Sequence, residues 1–358
     1  MVTGEQIIDE GADFEQHRRY LSAVAYRLLG SLADAEDAVQ DAWLRWQATD
    51  RSTVLEPRAY LTTVVTRICY DQLGSARARR EAYFGEWLPE PSISTVERQP
   101  GPEDVASLGE SVSYAMLAVM EQLSPAERVA FVLHDVFAVG FGEIAEALGR
   151  TPESVRQLAS RGRRRVREGT SGTSVAWADA ETWPQSDPDS TASAAADSAA
   201  GSRVGHPWRR LERPEHRKVV AAFAAASLTG DISGLMAVLD PDVIWHSDGG
   251  GIVKAGAQPV RTADRVARLV SGLTRWLHPD SGLQMHDTLV NGAPGLVIID
   301  KTGAAMGVMA FVIVDDRIVE AYTVVNPEKL GNVAGGAVSA YLPRREASGR
   351  RDDEPAEH

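Results

Sequence analysis

Ser154, Arg156, Gln157, Ser160, Arg161, Arg163 and Arg164 crowd one short arginine-rich stretch of the chain. Arginine and glutamine carry paired hydrogen-bonding groups that match base edges in a DNA major groove, and arginine also meets phosphates. Between these residues, Val155, Leu158, Ala159 and Val166 recur at helical spacing, so the polar set falls largely off the apolar side. The alternative is a solvated, arginine-rich helix end favoured by the helix dipole.

The flanking residues supply the elements that would hold such a helix. Ile144, Ala145 and Leu148 make an apolar stripe, and Gly149 suits a helix stop. Thr151 is a good N-cap, and Pro152 sits at the first helical position, where a missing N–H costs nothing. Upstream, Leu123-Ser124-Pro125-Ala126-Glu127 reads as a capping box. Val129, Val132, Leu133, Val136 and Phe137 continue it as an amphipathic helix. The run from Leu117 to Glu168, with LSPAERVAFVLHDVFAVGFGEIAEALG, resembles region 4 of bacterial sigma factors, which reads the −35 promoter element. Gly162 departs from that pattern, where alanine is usual. Glycine inside a helix costs about 1 kcal/mol against alanine, so a looser helix end is expected.

Two further helices carry candidate contacts. Ala35, Ala38, Val39, Ala42, Trp43 and Trp46 form a stripe, leaving Asp34, Glu36, Asp37, Gln40 and Asp41 as an acidic face. Pro57 opens another helix, with Leu61, Val64, Val65 and Ile68 on one side. AYRLLGSLADAEDAVQDAWLRW resembles sigma region 2.2, and PRAYLTTVVTRICYDQLGSARARR resembles regions 2.3–2.4. The resemblance implies that the acidic face docks on the polymerase β′ subunit. It implies that Arg58, Tyr60, Arg67 and Asp71 read and melt the −10 element, where an unstacked base needs an aromatic or cationic platform. Simple core packing is the other reading for Tyr60, and a solvated face the other for the acids.

A third candidate is the pair His246 and Asp248, which has the chemistry of a general acid and base if burial tunes it. Against that, Asp248 followed by Gly249, Gly250 and Gly251 is a turn signal. Around this pair, residues 209–330 read as helices followed by strands at Val243–Trp245 and in three later patterns. The turns lie near Gly292–Gly295, Lys301–Gly303 and Asp315–Arg317. The expected fold there is α+β, a curved sheet around a pocket. It resembles the SnoaL-like, nuclear-transport-factor-2-like cone, whose relatives include cyclases and isomerases. VIWHSDGGGIVKA and VVNPEKL, with Asn326, Pro327, Glu328, Lys329 and Leu330, match signatures of extracytoplasmic-function (ECF) sigma factors that end in such a domain. Ile252 stands where a basic residue is usual, and Glu328 replaces an aspartate. WLPEP, from Trp87 through Leu88 and Pro89 to Pro91, belongs to the same group. Its large apolar residues need a place to be buried, which a generic linker does not offer. Trp87–Pro91, Asp248–Gly251 and Asn326–Leu330 are therefore expected to meet, with the C-terminal domain packing on the sigma domains and regulating them in cis.

The expected fold class is therefore multidomain: two all-α sigma domains plus a C-terminal α+β cone. The expected boundaries are 12–83 for region 2 and 84–107 for a linker. Region 4 follows at 108–169, then a flexible Ala/Ser linker at 170–208, the cone at 209–330 and a tail at 331–358. The implied partners are promoter DNA and core RNA polymerase, through β′ and β, with no separate anti-sigma protein required. An enzyme or ligand sensor fused to a DNA-binding module is the rival reading.

Composition fits this organisation. Net charge is −13 with a single cysteine, Cys69, so no disulfide framework exists and a reducing cytoplasm suits the chain. Cys69 sits on a helical pattern as a small core residue. No apolar run is long enough to span a bilayer and no secretory signal begins the chain. No Cys/His spacing suggests a metal, and no cofactor is implied. Positive charge gathers at Arg77–Arg80 and Arg156–Arg167, so DNA affinity would depend on a larger partner.

Overall fold

Apolar side chains at helical spacing close the first half of the chain into two groups of helices. A computed structural model describes residues 4–81, 83, 85–94, 113–170, 214–273 and 281–333. Helices α1 (Gly4–Leu29), α2 (Leu32–Gln47) and α3 (Pro57–Glu81) form the first group. Ser31 caps α2 by accepting from Asp34 N–H at 3.1 Å. The second group comprises α4 (Tyr114–Met120), α5 (Pro125–Phe131), α6 (Phe141–Leu148) and α7 (Pro152–Thr170). The expected helix after Ser124 loosens into a π turn at Val132–Val136. Both groups contribute to one apolar cluster, from Phe14, Leu28, Trp46 and Val65 to Phe131, Ile144, Val155 and Val166, and Cys69 is buried within it.

Buried polar groups reinforce that seam. Arg128 of α5 is 1% exposed, pairs with Glu121 at 2.7 Å and donates to the Arg27 carbonyl at the end of α1 at 3.3 Å. Arg27 lies over the Phe137 ring, and burial pulls its guanidinium down to about 10. Gly30, at φ +71°, ends α1 where an added Cβ would lie 2.8 Å from Glu121 Oε1 and 3.4 Å from the Trp87 ring. Only glycine fits that junction without moving a neighbour.

The C-terminal unit pairs helices α8 (Pro214–Thr229), α9 (Ile232–Val238) and α10 (Ala263–Leu273) with a seven-stranded sheet. The strands are β1 (Ile93–Ser94), β2 (Leu239–Asp248), β3 (Val260–Arg261), β4 (Gln284–Val290), β5 (Ala293–Ile299), β6 (Ala305–Val314) and β7 (Arg317–Val324). Their order is β1-β4-β5-β6-β7-β2-β3. β4–β7 form an antiparallel meander in which the three later strand patterns count as four strands, separated by the three expected turns, and β2 joins β7 in parallel, so the sheet is mixed. One sheet face buries Trp245, Met309 and Phe311 against Phe223 and Val266 of the helices. The other face packs Tyr322, Val324 and Val308 against Leu88 of the linker and Tyr114 of α4.

Strand β1 was not expected from the sequence. It comes from the linker and pairs Ile93 and Ser94 with Val290 and Leu289, lengthening the cone's sheet. The Ala/Ser linker, residues 95–107 of the first linker and the tail beyond Val333 lie outside the described residues. Arg77–Arg80 fall in α3, but their side chains are likewise outside them.

Candidate functional site

Two kinds of surface emerge, one facing outward and one facing inward. On α7, Thr151 accepts from Ser154 N–H at 3.3 Å, and Gly149 ends α6 at φ +61°, as the turn chemistry demands. Arg156, Gln157, Ser160, Arg161 and Arg164 are exposed and Ser154 half-exposed. Arg163 departs from this row: its guanidinium is largely covered and pairs with Asp135 at 2.9 Å. The pull of a buried carboxylate on the previous turn outweighs solvation there. Arg161 and Arg165 both face Glu127, at 3.7 and 2.7 Å. Burial pushes the Glu127 carboxyl up, but the Ser124 hydrogen bonds and these arginines hold it below its ordinary range. Gly162 does not loosen the helix, which continues to Thr170. It is buried, and an added Cβ would lie 3.1 Å from Phe131 Cβ and 3.2 Å from the Glu127 carbonyl, so glycine permits the close crossing of α7 on α5.

On α2, Glu36, Asp37, Gln40 and Asp41 are exposed and Asp34 half-exposed, while Trp46 is buried and Trp43 packs on Phe14. On α3, Arg58 lies 4.0 Å over the Tyr20 ring and Asp71 is exposed. Tyr60 combines both readings: it leans on Trp46 while its hydroxyl meets Thr49 Oγ1 at 3.0 Å. Arg67 donates to the Glu146 carbonyl of α6 at 3.0 Å, so the second helical group occupies it.

The inward surface gathers Trp87–Pro91, Asp248–Gly251 and Asn326–Leu330. Asp248 is fully buried. Its Oδ2 accepts from Lys329 Nζ at 2.6 Å and Leu88 N–H at 2.9 Å. Its Oδ1 accepts from the Tyr83 hydroxyl at 2.5 Å and Gly250 N–H at 3.0 Å. Lys329 Nζ also donates to the Leu88 carbonyl at 2.6 Å and lies 3.8 Å from the Trp87 ring centroid. Asn326 donates to the Tyr83 hydroxyl at 2.8 Å. Burial, then the Asp248 hydrogen bond and charge, raise the Tyr83 phenol, so it stays a donor. Gly250, at φ +67°, passes so close to Asn326 that a Cβ would lie 2.5 Å from its amide carbon.

This arrangement corrects the acid–base reading of His246 and Asp248. All four acceptor positions of Asp248 are taken, so no lone pair remains for a substrate proton. His246 Nδ1 meets Glu86 Oε1 at 2.9 Å, its ring stacks on Tyr322, and both residues face the linker rather than the helix-lined side of the cone. Sequence reasoning missed Glu90. Its buried carboxylate accepts from Leu32 N–H at the start of α2 at 2.7 Å and from Asn332 at 2.9 Å, a favourable place for an anion. Tyr26 and Asn291 were missed too; Tyr26 donates to the Glu90 carbonyl at 2.6 Å and accepts from Asn291 at 2.9 Å. The WLPEP wording holds Glu90 and was the available signal; nothing local marks Tyr26 or Asn291.

Similarity to known proteins follows the same divisions. The Sigma-70 region 2 family matches residues 14–79, and the Sigma-70 region 4 family matches residues 113–166. The ECF RNA polymerase sigma factor SigJ of Mycobacterium tuberculosis is 36% identical over 326 residues, covering 89% of this chain and 93% of that protein. SigI of the same species is 31% identical over 323 residues, covering 89% and 94%. The crystal structure of the M. tuberculosis SigJ superimposes with a TM-score of 0.63 at 33% identity, covering 89% of this chain and 97% of that one. With its helical units, linker and mixed-sheet cone in that order, the chain belongs to the extracytoplasmic-function RNA polymerase sigma factors.

Proposed function

We propose that this sigma factor recruits core RNA polymerase through the acidic face of α2, with Asp34, Glu36, Asp37, Gln40 and Asp41 on the β′ subunit. It reads the −35 element with α7, through Arg156, Gln157 and Arg161 on base edges and Ser154, Ser160 and Arg164 beside the backbone. Arg163 joins them once its pair with Asp135 opens. Arg58, Tyr60, Arg67 and Asp71 serve the −10 element. The C-terminal cone restrains these surfaces in cis, in the cytoplasm, as a non-enzymatic regulator that makes a separate anti-sigma protein unnecessary.

One observation carries the regulatory part: the Asp248 carboxylate collects donors from the linker, from Tyr83 just beyond α3 and from the C-terminal segment at once. The same packed arrangement keeps Arg67 on Glu146 and away from DNA. A tethered domain needs little intrinsic affinity to hold such a closed form, because its local concentration is near the millimolar range. The test is transcription by reconstituted holoenzyme from one fixed promoter, with full-length protein, Trp87→Ala and Lys329→Met. Altered output from both variants, with helical content preserved, supports restraint in cis. Equal output from all three overturns it.

A further inference from the structure

On the sheet face turned away from its helices, a cleft of about 470 Å³ opens between the cone, α4 and the linker. That volume falls within the range of small-molecule pockets, about 300–1,000 Å³. Among the residues that line it is Glu320 of β7, 8% exposed. Its partner among the described residues is the Tyr322 hydroxyl, a neutral donor. Burial, ahead of the Glu320 charge, holds that phenol well above its ordinary range, so it does not ionise or lend a positive charge.

Each of the other carboxylates lining the cleft has a basic side chain beside it. Glu86 meets His246 at 2.9 Å, Glu121 meets Arg128 at 2.7 Å and Glu168 meets Arg164 at 3.6 Å. Arg261 lines the same cleft in the row of Glu320, with Ile244 between them. Two strand spacings separate their Cα atoms by about 10 Å, and among the described residues no ion pair joins the two side chains. Among the described residues Glu320 is thus a buried carboxylate without a counter-cation, an arrangement that is costly unless something completes it. Ile244 and Val119 give the adjoining walls apolar character.

We propose that this cleft binds a small organic ammonium compound, its charged nitrogen on Glu320 and its apolar body against Ile244 and Val119. The site lies outside the helix-lined interior of the cone. Because α4 and the sheet both line it, a bound cation would act on the packing of the second helical group against the cone. That regulatory consequence rests on the reading of restraint in cis, whereas the binding chemistry does not.

The test uses the full chain at low salt and neutral pH, with three probes of one shape: 2-phenylethylammonium, neutral 2-phenylethanol and anionic 3-phenylpropionate. Calorimetry measures affinity, and a tryptophan fluorescence change that is lost in Trp87→Phe locates the event. The ammonium is expected to bind saturably and at least about ten-fold more tightly than either other probe. Glu320→Gln, with circular dichroism unchanged, is expected to erase that preference. Equal binding of the three probes, preference for the carboxylate, no saturable binding of the ammonium below about 10 mM, or unchanged ammonium binding by a folded Glu320→Gln variant would each overturn the site. Should Glu320→Gln fail to fold, the charge series on the unaltered chain decides alone. Transcription from the fixed promoter is read separately, so loss of ligand binding and loss of cis restraint are distinguishable.

Discussion

The outward faces of α2 and α7 and the junction around Asp248 use the same residue types for opposite ends. On α7, Arg156 and Arg164 stand in solvent, Arg164 with only a loose pairing to Glu168. At the junction, Lys329 is buried and satisfied by a carboxylate, a carbonyl and an aromatic face. An exposed charge costs the fold little and remains available to a partner. A buried one is committed, since its desolvation is repaid only when every lone pair and proton is matched. The difference teaches where to look for recognition and where for restraint: recognition where charge is left over, as on α7, and restraint where it is used up, as at Asp248.

The sharpest way to break this contrast is at Lys329. Lys329→Ala leaves Asp248 buried without its cation, and stability measured by urea unfolding is expected to fall by about 3–5 kcal/mol. Adding Asp248→Asn to that variant is expected to recover part of the loss, because the orphaned charge goes with it; further loss would show that the pair does not act as a unit. On the outward side, Arg156→Ala is expected to weaken holoenzyme binding to its promoter by about 1–3 kcal/mol and relax base preference in the −35 element. Its unfolding midpoint should be unchanged. Arg164→Ala should lower affinity on all sequences alike, read as a shallower salt dependence.

Gly30→Ala probes the seam between the two helical groups. The left-handed backbone alone costs a side chain about 1–2 kcal/mol, and the new methyl also crowds Glu121 and Trp87. Stability should fall, and proteolysis near residues 85–94 should quicken. A small effect on the fold is expected from reversing Asp37 and Asp41 to lysine. Urea unfolding should shift by well under about 1 kcal/mol, while affinity for core polymerase drops in a titration. A large loss of stability there would place the acidic face in the fold's own interactions instead.

Much of the local structure was legible because it depends on neighbours in the chain. The Ser124 capping box, the Thr151-Pro152 helix start, the Gly149 stop and the core stripes all rest on contacts three or four residues apart. WLPEP advertised a buried anchor through its apolar bulk alone, and the Asp248–Gly251 turn announced itself through glycine. Pairing between distant segments was legible only where signatures marked it: Trp87–Pro91, Asp248–Gly251 and Asn326–Leu330 were expected to meet, and they do. Elsewhere such pairing could not be read. Strand β1 is two residues long and exists because Val290 offers it a sheet edge. Gly162 looks like a weak helix position until Phe131 arrives from another helix. Arg163 belongs to the exposed row by periodicity and leaves it only because Asp135 lies opposite. His246 and Asp248 have the composition of an acid–base pair, and only their partners, Glu86, Tyr83, Leu88 and Lys329, turn them into structural contacts. Residue type and spacing determined the helices, their caps and the chemistry available on each face. Tertiary structure decided which charges are consumed, because burial and pairing depend on what the rest of the chain brings within about 3 Å, the reach of a hydrogen bond.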